Sequence, residues 1–336
     1  FKDDAVAVIA FSSLLGPDGA PEVDVSPGSL GSNPVGTHDD PGHPVNPVTG
    51  QPYEANLVNE ADFGRAVAEF WADGPDSETP PGHWNTMANA ASDQLGDDLR
   101  IRGSGEPVGR LEWDVKLYLA LNGANHDAAI AAWGSKGYYD YVRPISMIRH
   151  MGGLGQSSDP NAPSFDEDGL PLVDGLVAVI TDESSSAGGE HEHLADFVGE
   201  IAVRSYLGTP DDQEAGVGGV GWLRAVDWAP YQSPTFVTPS FAAYVSGHSS
   251  FSRASAEVLT AFTGSEFFPG GLGEWTIQEG SLHFEYGPSE DVVLQWATYR
   301  DAADQAGISR LYGGIHVSAD DFNGRMMGEA VGKLAW

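Results

Sequence analysis

Leu111-Glu-Trp-Asp-Val-Lys-Leu117-Tyr-Leu-Ala-Leu121-Asn-Gly-Ala124-Asn-His-Asp-Ala128-Ala-Ile-Ala-Ala-Trp133 contains no proline and sets Leu117, Leu121, Ala124 and Ala128 on one stripe at helical spacing. The small residues on that stripe let another helix approach closely, so this stretch is predicted to be the central helix of a bundle. Upstream, Phe63, Ala66, Val67, Phe70 and Trp71 form the apolar face of a second helix, which stops before Gly74-Pro75. Downstream, Leu194, Phe197, Val198 and Ile201 repeat the pattern up to Gly208-Thr209-Pro210, and further helices are read at 249–262, 291–306 and 320–334. Strand signals are few. The predicted fold class is mainly α, a helix bundle with long surface loops.

Around this body, residues 1–60 read as a loop-rich arm packed on it, broken by Pro-Gly, Asn-Pro and Asp-Pro pairs, and residues 61–336 as a single helical catalytic domain. Gly152 to Glu190 and Gly216 to Pro239 read as surface insertions. The 336 residues carry 49 Asp and Glu against 16 Lys and Arg, a formal charge of −33. Such a surface repels phosphate backbones and anionic headgroups, which excludes nucleic acid and membrane surfaces as partners. No apolar run approaches the ~20 residues of a membrane span. There is no Cys, so a metal site must use His or oxygen ligands. The acidic excess fits a salt-adapted source, and the start at Phe1 rather than Met fits a secreted or periplasmic protein that has lost a leader. A homo-oligomer is compatible with all of this.

Three segments hold an unusual share of the cations and His: Lys136-Gly-Tyr-Tyr-Asp-Tyr-Val-Arg143-Pro144, Tyr244-Val-Ser246-Gly247-His248, and Ser309-Arg310-Leu-Tyr-Gly-Gly-Ile-His316-Val-Ser-Ala-Asp320. Taken singly, each fits a surface charge or an ordinary histidine. Together they supply two guanidiniums, an ammonium, a hydroxyl, a glycine amide and two imidazoles, the equipment for holding a compact tetrahedral oxyanion. Ser246-Gly247 ahead of a helix adds backbone N–H groups and the positive end of the helix dipole.

The order K-x6-R-P, S-G-H, S-R-x5-H-x3-D resembles the superfamily shared by vanadium-dependent haloperoxidases and histidine acid and lipid phosphatases. The likeness runs from about Ala61 to the C-terminus, with Val245 standing where the family usually has Pro. It implies a helical bundle around vanadate. In that likeness His316 is the vanadium ligand, and Lys136, Arg143, Ser246, the Gly247 amide and Arg310 neutralise the equatorial oxygens. His248 is the acid–base group, and Lys136 polarises the peroxide. The substrates implied are hydrogen peroxide and a halide, bromide or iodide with chloride open; the sequence names no pocket for an organic acceptor. In the phosphatase branch His316 attacks phosphorus and His248 protonates the leaving alcohol. Trp133 and Phe241 match ring positions beside the peroxide in proteins resembling the fungal chloroperoxidase, although two core aromatics would read the same way. Phe70 to Pro75, Thr79 to Trp84 and Ala128 to Trp133 are similar to bacterial haloperoxidases. There Asp73 corresponds to a carboxylate that pairs with Arg310, while Asp320 would orient His316.

Other patterns carry less. Glu190-His191-Glu192-His193 alternates around a helix start and brings only a pair together, so a solvated terminus is expected. Asp166-Glu167-Asp168-Gly169 is half a calcium loop without its bidentate Glu. His83, His126 and His150 default to structural roles. A catalytically idle protein that binds an anion or calcium is the remaining alternative.

Overall fold

A computed structural model describes residues 1–38, 41–73 and 77–336, and among these the architecture is mainly α. The bundle comprises α2 (Glu60–Phe70), α3 (Pro80–Leu95), α4 (Arg110–Tyr139), α6 (Gly247–Thr263), α7 (Tyr299–Tyr312) and α8 (Ser318–Ala335). Local chemistry sets their starts. The Asn59 side chain accepts from the Ala61 and Asp62 amides at the head of α2, and Thr79 precedes two prolines at the head of α3. Thr298 and Asp301 form a reciprocal capping box on α7.

The central helix is longer than its periodicity indicates. α4 continues past Trp133 to Tyr139 and ends at Asp140, which takes the left-handed conformation with φ 45°. Lys136 therefore lies in the last turn, beside the helix's own carbonyl end, rather than beyond the helix. One face of α4 is buried through Trp113, Leu117, Leu121, Ala124, Ala128 and Lys136.

Four expectations are corrected. The arm opens with α1 (Lys2–Ser13), a stretch free of Gly and Pro that buries Ala5, Val8 and Ile9. The remainder of the arm contributes β1 (Glu22–Asp24), antiparallel to β2 (Leu57–Asn59). The helix expected through Ile201 is a short 3-10 turn, Glu192–Phe197, after which Gly199 at φ 96° turns the chain into β4 (Ile201–Tyr206). β4 pairs antiparallel with β3 (Val177–Val179) and β5 (Val220–Arg224), so each insertion contributes one outer strand to a three-stranded sheet. The sheet, α1 and α5 (Pro144–Leu154) share a second apolar core. The helix expected from 291 begins instead as β7 (Val292–Trp296), whose alternate residues are buried at the strand period, paired with β6 (Gly273–Ile277). The Gly74-Pro75 stop lies outside the described residues.

The tightest seam runs between α6 and α8. Gly324, Gly328 and Gly332 face α6 so closely that a Cβ on each would stand 2.8, 2.4 and 2.6 Å from the carbonyl oxygens of Ser246, Ser250 and Ala254. The Ser246 amide donates to the Asp320 carbonyl at 3.0 Å, which ties the two helix starts together. Behind the seam, buried Arg253 and Arg325 share Asp304, and Arg325 also pairs with Asp321.

Gly328→Ala is expected to cost about 1–3 kcal/mol through overpacking. Gly123→Ala, on the open face of α4 with nothing within 4 Å, is expected to gain about 1 kcal/mol from helix propensity. Urea midpoints at unchanged slope measure both; equal shifts for the two variants would remove the seam's special status.

Candidate functional site

The end of α4, the start of α6 and the α7–α8 connection meet around a cavity of about 540 Å³. Lys136, Arg143, Gly247, His248, Arg310 and His316 all line it, so six residues from three distant segments converge. Ser246 does not line the wall. It is fully buried at the N-cap of α6, where its Oγ accepts from the Ser249 amide. Gly247 and His248 are the first two residues of that helix, with N–H groups that have no intrahelical acceptor. A Cβ on Gly247 would lie 3.2 Å from the Trp133 ring, a close approach of ring to helix start. The preceding Tyr244–Val245 peptide is cis.

The cations are held mainly by carbonyl oxygens. Lys136 Nζ donates to the Ala242 and Ala243 carbonyls at 3.0 and 2.7 Å. Arg143 donates to those of Phe241, Ala242 and Ile315, and Arg310 to that of Ala68. Carbonyls satisfy N–H donors without cancelling the charge. Burial therefore pushes Lys136 down to about 7, with Arg143 beside it adding to the effect. Burial likewise lowers Arg143 to about 10 and Arg310 to about 9. Asp73 lines the cavity and pulls Arg310 back up through space, but among the described residues the two form no ion pair within 4 Å.

Both imidazoles are oriented by their second nitrogen. His316 Nδ1 lies 2.8 Å from Asp320 Oδ2, and Arg143 Nη1 donates to His316 Nε2 at 3.2 Å. An Nε2 that accepts leaves the proton on Nδ1, donated to the carboxylate. Burial, then Arg143 and Lys136, hold His316 well below the usual imidazole range, so it is neutral with its Nε2 lone pair directed at the cations. Burial raises Asp320 to about 7 against the lowering pull of the Val317 amide, Lys136 and Arg143. His248 Nε2 donates to the Trp71 carbonyl at 2.6 Å, which leaves Nδ1 as the basic nitrogen of the neutral ring. Burial and Arg310 keep His248 neutral as well.

Trp133 and Phe241 are wall rather than core. They are 45% and 43% exposed, 5.4 Å apart, and each has Lys136 Nζ over its ring at 5.7 and 5.4 Å. Sequence reading missed the rest of this wall, because Gln232, Ser233, Thr235 and Phe236 fall in a segment read as a surface insertion. The available signal was a Phe inside a Pro-rich loop leading into Ser-Gly-His. Elsewhere, His191 is buried against Trp222 with Nδ1 on Ser184 Oγ, so it is not a solvated terminus. His83 is buried on Trp71 and faces Glu78, whereas His126 and His150 are exposed. Among the described residues, no group of three His, Asp or Glu converges as a cation site, at Asp166–Gly169 or elsewhere.

A family model described as the VCPO second helical-bundle domain matches residues 116–166 and 194–336, which include every residue of the three motifs. The chain belongs to this vanadium haloperoxidase family. Solved structures of a bacterial vanadium-dependent chloroperoxidase share the family fold, the holo form at 20% identity and TM-score 0.53 and the apo form at 21% and 0.55. Each alignment covers 82% of this chain but only 43% and 44% of the other. A bacterial vanadium-dependent iodoperoxidase is similar at 20% identity and TM-score 0.45, covering 81% of this chain and 43% of that one. The haloperoxidase-family chain thus spans less than half the length of these structures. No curated protein matches it.

Lys136 gives the family pocket here a pH signature. Below about pH 7 its ammonium is present, and above that it is lost as pH rises. A bound oxyanion raises the lysine's pKa, so binding above pH 7 takes up a proton and weakens with rising pH. Molybdate, which carries no proton at pH 8, is expected to bind there with uptake of up to one proton, and Lys136→Met to bind with markedly less. Titration calorimetry in two buffers of different ionisation heat reads this directly; identical heats for wild type would refute it.

Proposed function

We propose that the protein is a vanadate-dependent haloperoxidase, which uses hydrogen peroxide to oxidise bromide and iodide to a hypohalous acid. The observation that carries the reading is the set of three buried cations held mainly by carbonyls around a neutral His316 Nε2. Their charge is unspent, and a dianionic or trianionic oxyanion with four oxygens fits the donors present. Lys136, Arg143, Arg310 and the first amides of α6 would hold the oxygens, and His316 Nε2 would be the one nitrogen ligand. When bound, vanadate supplies a Lewis acid that makes peroxide electrophilic without a redox change at the metal.

The remaining work falls to side chains. Asp320 keeps the His316 proton on Nδ1, so Nε2 carries no proton and its lone pair, which here accepts from Arg143, would be the one offered to the oxyanion. The Trp71 carbonyl fixes His248, whose Nδ1 would take a proton from incoming peroxide and return it to a leaving hydroxide, which departs as water. Lys136 places positive charge beside the developing hydroxide, and the Trp133 and Phe241 rings exclude water and strengthen that interaction. Chloride is harder to oxidise than bromide and depends most on this dryness. A phosphate ester would meet the same donors, so the histidine phosphatase chemistry is the rival outcome of the test.

Monochlorodimedone halogenation is expected with bromide and peroxide, dependent on added vanadate. Its absence with both bromide and chloride would overturn the reading, and hydrolysis of p-nitrophenyl phosphate in its place would assign the phosphatase chemistry. His316→Ala is expected to abolish tight vanadate binding. His248→Ala is expected to retain binding and to lose roughly 10²–10⁴ in turnover. Equal binding by both variants would contradict His316 as ligand. Phe241→His is expected to depress chloride turnover more than bromide turnover, and an unchanged ratio would deny the ring a part in halide selection.

A further inference from the structure

Arg310 and His316 belong to one short stretch of chain, so their spacing depends on how α7 ends. It ends in a Schellman motif. Gly314, at φ 68°, lets the Ile315 amide return to the Arg310 carbonyl at 3.1 Å, while the Gly314 amide donates to the Leu311 carbonyl at 3.0 Å. These bonds tie the backbone of Arg310 to the residue before His316. They leave the Gly313 carbonyl, at the helix end, without an intrahelical donor.

That carbonyl is met from another segment. Gln232 is buried, lines the cavity, and donates from Nε2 to the Gly313 oxygen at 2.9 Å. Only the NH2 end of an amide can donate to a carbonyl, so the bond also fixes which way the side chain is turned. The approach leaves no room for a methyl group. A Cβ on Gly313 would stand 2.7 Å from Gln232 Nε2, and one on Gly314 would stand 2.7 Å from the Pro230 side chain. The segment that carries Gln232 is itself anchored in three elements. Fully buried Trp228 donates from Nε1 to Ser205 Oγ of β4 at 2.8 Å, and its carbonyl accepts from Arg149 of α5 at 2.7 Å. Fully buried Tyr231 donates to Glu69 of α2 at 2.8 Å.

We propose that Gln232 is a positioning residue: by holding the Gly313 carbonyl against this anchored segment, it sets the Arg310 guanidinium and His316 Nε2 at the spacing that one oxyanion requires. The inference rests on the oxyanion pocket of the proposed function and not on which reaction follows there. Arg143 grips the same connection through the Ile315 carbonyl at 2.8 Å, but it is also one of the pocket's cations. Gln232 is uncharged and lies outside all three motifs, so its part can be removed while every cation and imidazole stays. Gln232→Met keeps the length of the side chain and deletes the donor, which leaves a buried carbonyl unpaired. The connection then relaxes, and Arg310 and His316 no longer close on the anion together.

Calorimetric titration with molybdate at pH 8 tests this. Gln232→Met is expected to bind at least 5-fold more weakly than wild type, with the proton uptake due to Lys136 unchanged, because Lys136 is held by the Ala242 and Ala243 carbonyls and not by this turn. Gly313→Ala, whose methyl displaces the Gln232 amide, is expected to lose a similar factor. The double variant should be no more than 2-fold weaker than the weaker single variant, since both changes break one contact. Circular dichroism confirms folding before titration, and Gly313→Ala carries the test if Gln232→Met does not fold. Affinity within 2-fold of wild type in the folded variant would overturn the proposal, and so would losses that multiply in the double variant. Proton uptake lost together with affinity would also overturn it, because that marks a general collapse of the pocket rather than a shift of Arg310 and His316. A wild type that does not bind molybdate would refute the oxyanion pocket itself, whereas a binding wild type with unaffected variants would refute only the part given to Gln232.

Discussion

The contact on which the site depends is between two helices that touch backbone to backbone. Gly324, Gly328 and Gly332 leave no side chain between α8 and the carbonyls of α6. That spacing allows the Ser246 amide to reach the Asp320 carbonyl and so fixes the two helix starts against each other. One start presents the Gly247 and His248 amides, and the other holds the carboxylate that orients His316. A side chain in the seam would separate the dipole end of α6 from the imidazole.

Given that frame, the cations are placed by an unusual choice of partners. Elsewhere in the molecule buried arginines meet carboxylates: Arg65 pairs with Asp62 and Glu285, and Arg325 with Asp304 and Asp321. Around the cavity Lys136, Arg143 and Arg310 meet carbonyl oxygens instead. The first arrangement closes its charge account internally, and the second leaves it open toward the cavity. The lowered pKa values of all three groups express the same fact, because each cation is desolvated without a counter-ion in contact.

What was legible in the sequence follows from the range of the interactions. The helical stripes of α2 and α4 and the three motif segments are local patterns, and each was readable. The Asp320–His316 contact was anticipated only from the family resemblance, since His316 precedes α8 and no helical spacing joins it to Asp320. Leu194 to Ile201 misled because a helical apolar spacing was supplied by a 3-10 turn and a strand separated by Gly199, and β pairing with distant partners decided the outcome. Ser246 illustrates a further limit: only the assembled helix shows that its side chain caps α6. The carbonyl partners of the cations were not readable at all, because a backbone oxygen carries no residue-type signal.

The match to the family's second bundle domain begins at residue 116, yet parts of the site come from before it. Ala68 and Trp71, at the end of α2, supply the carbonyls that hold Arg310 and His248. Asp73, Thr79 and the Pro80-Pro81 pair also line the cavity. The matched segments therefore contain the cations and imidazoles of the cavity, and the residues before them contain the carbonyls that hold two of these groups. Changes at those positions bear on the tautomer held by His248 and on the cavity wall without touching a motif residue. That is where chains carrying the same three motifs have room to differ in what they admit.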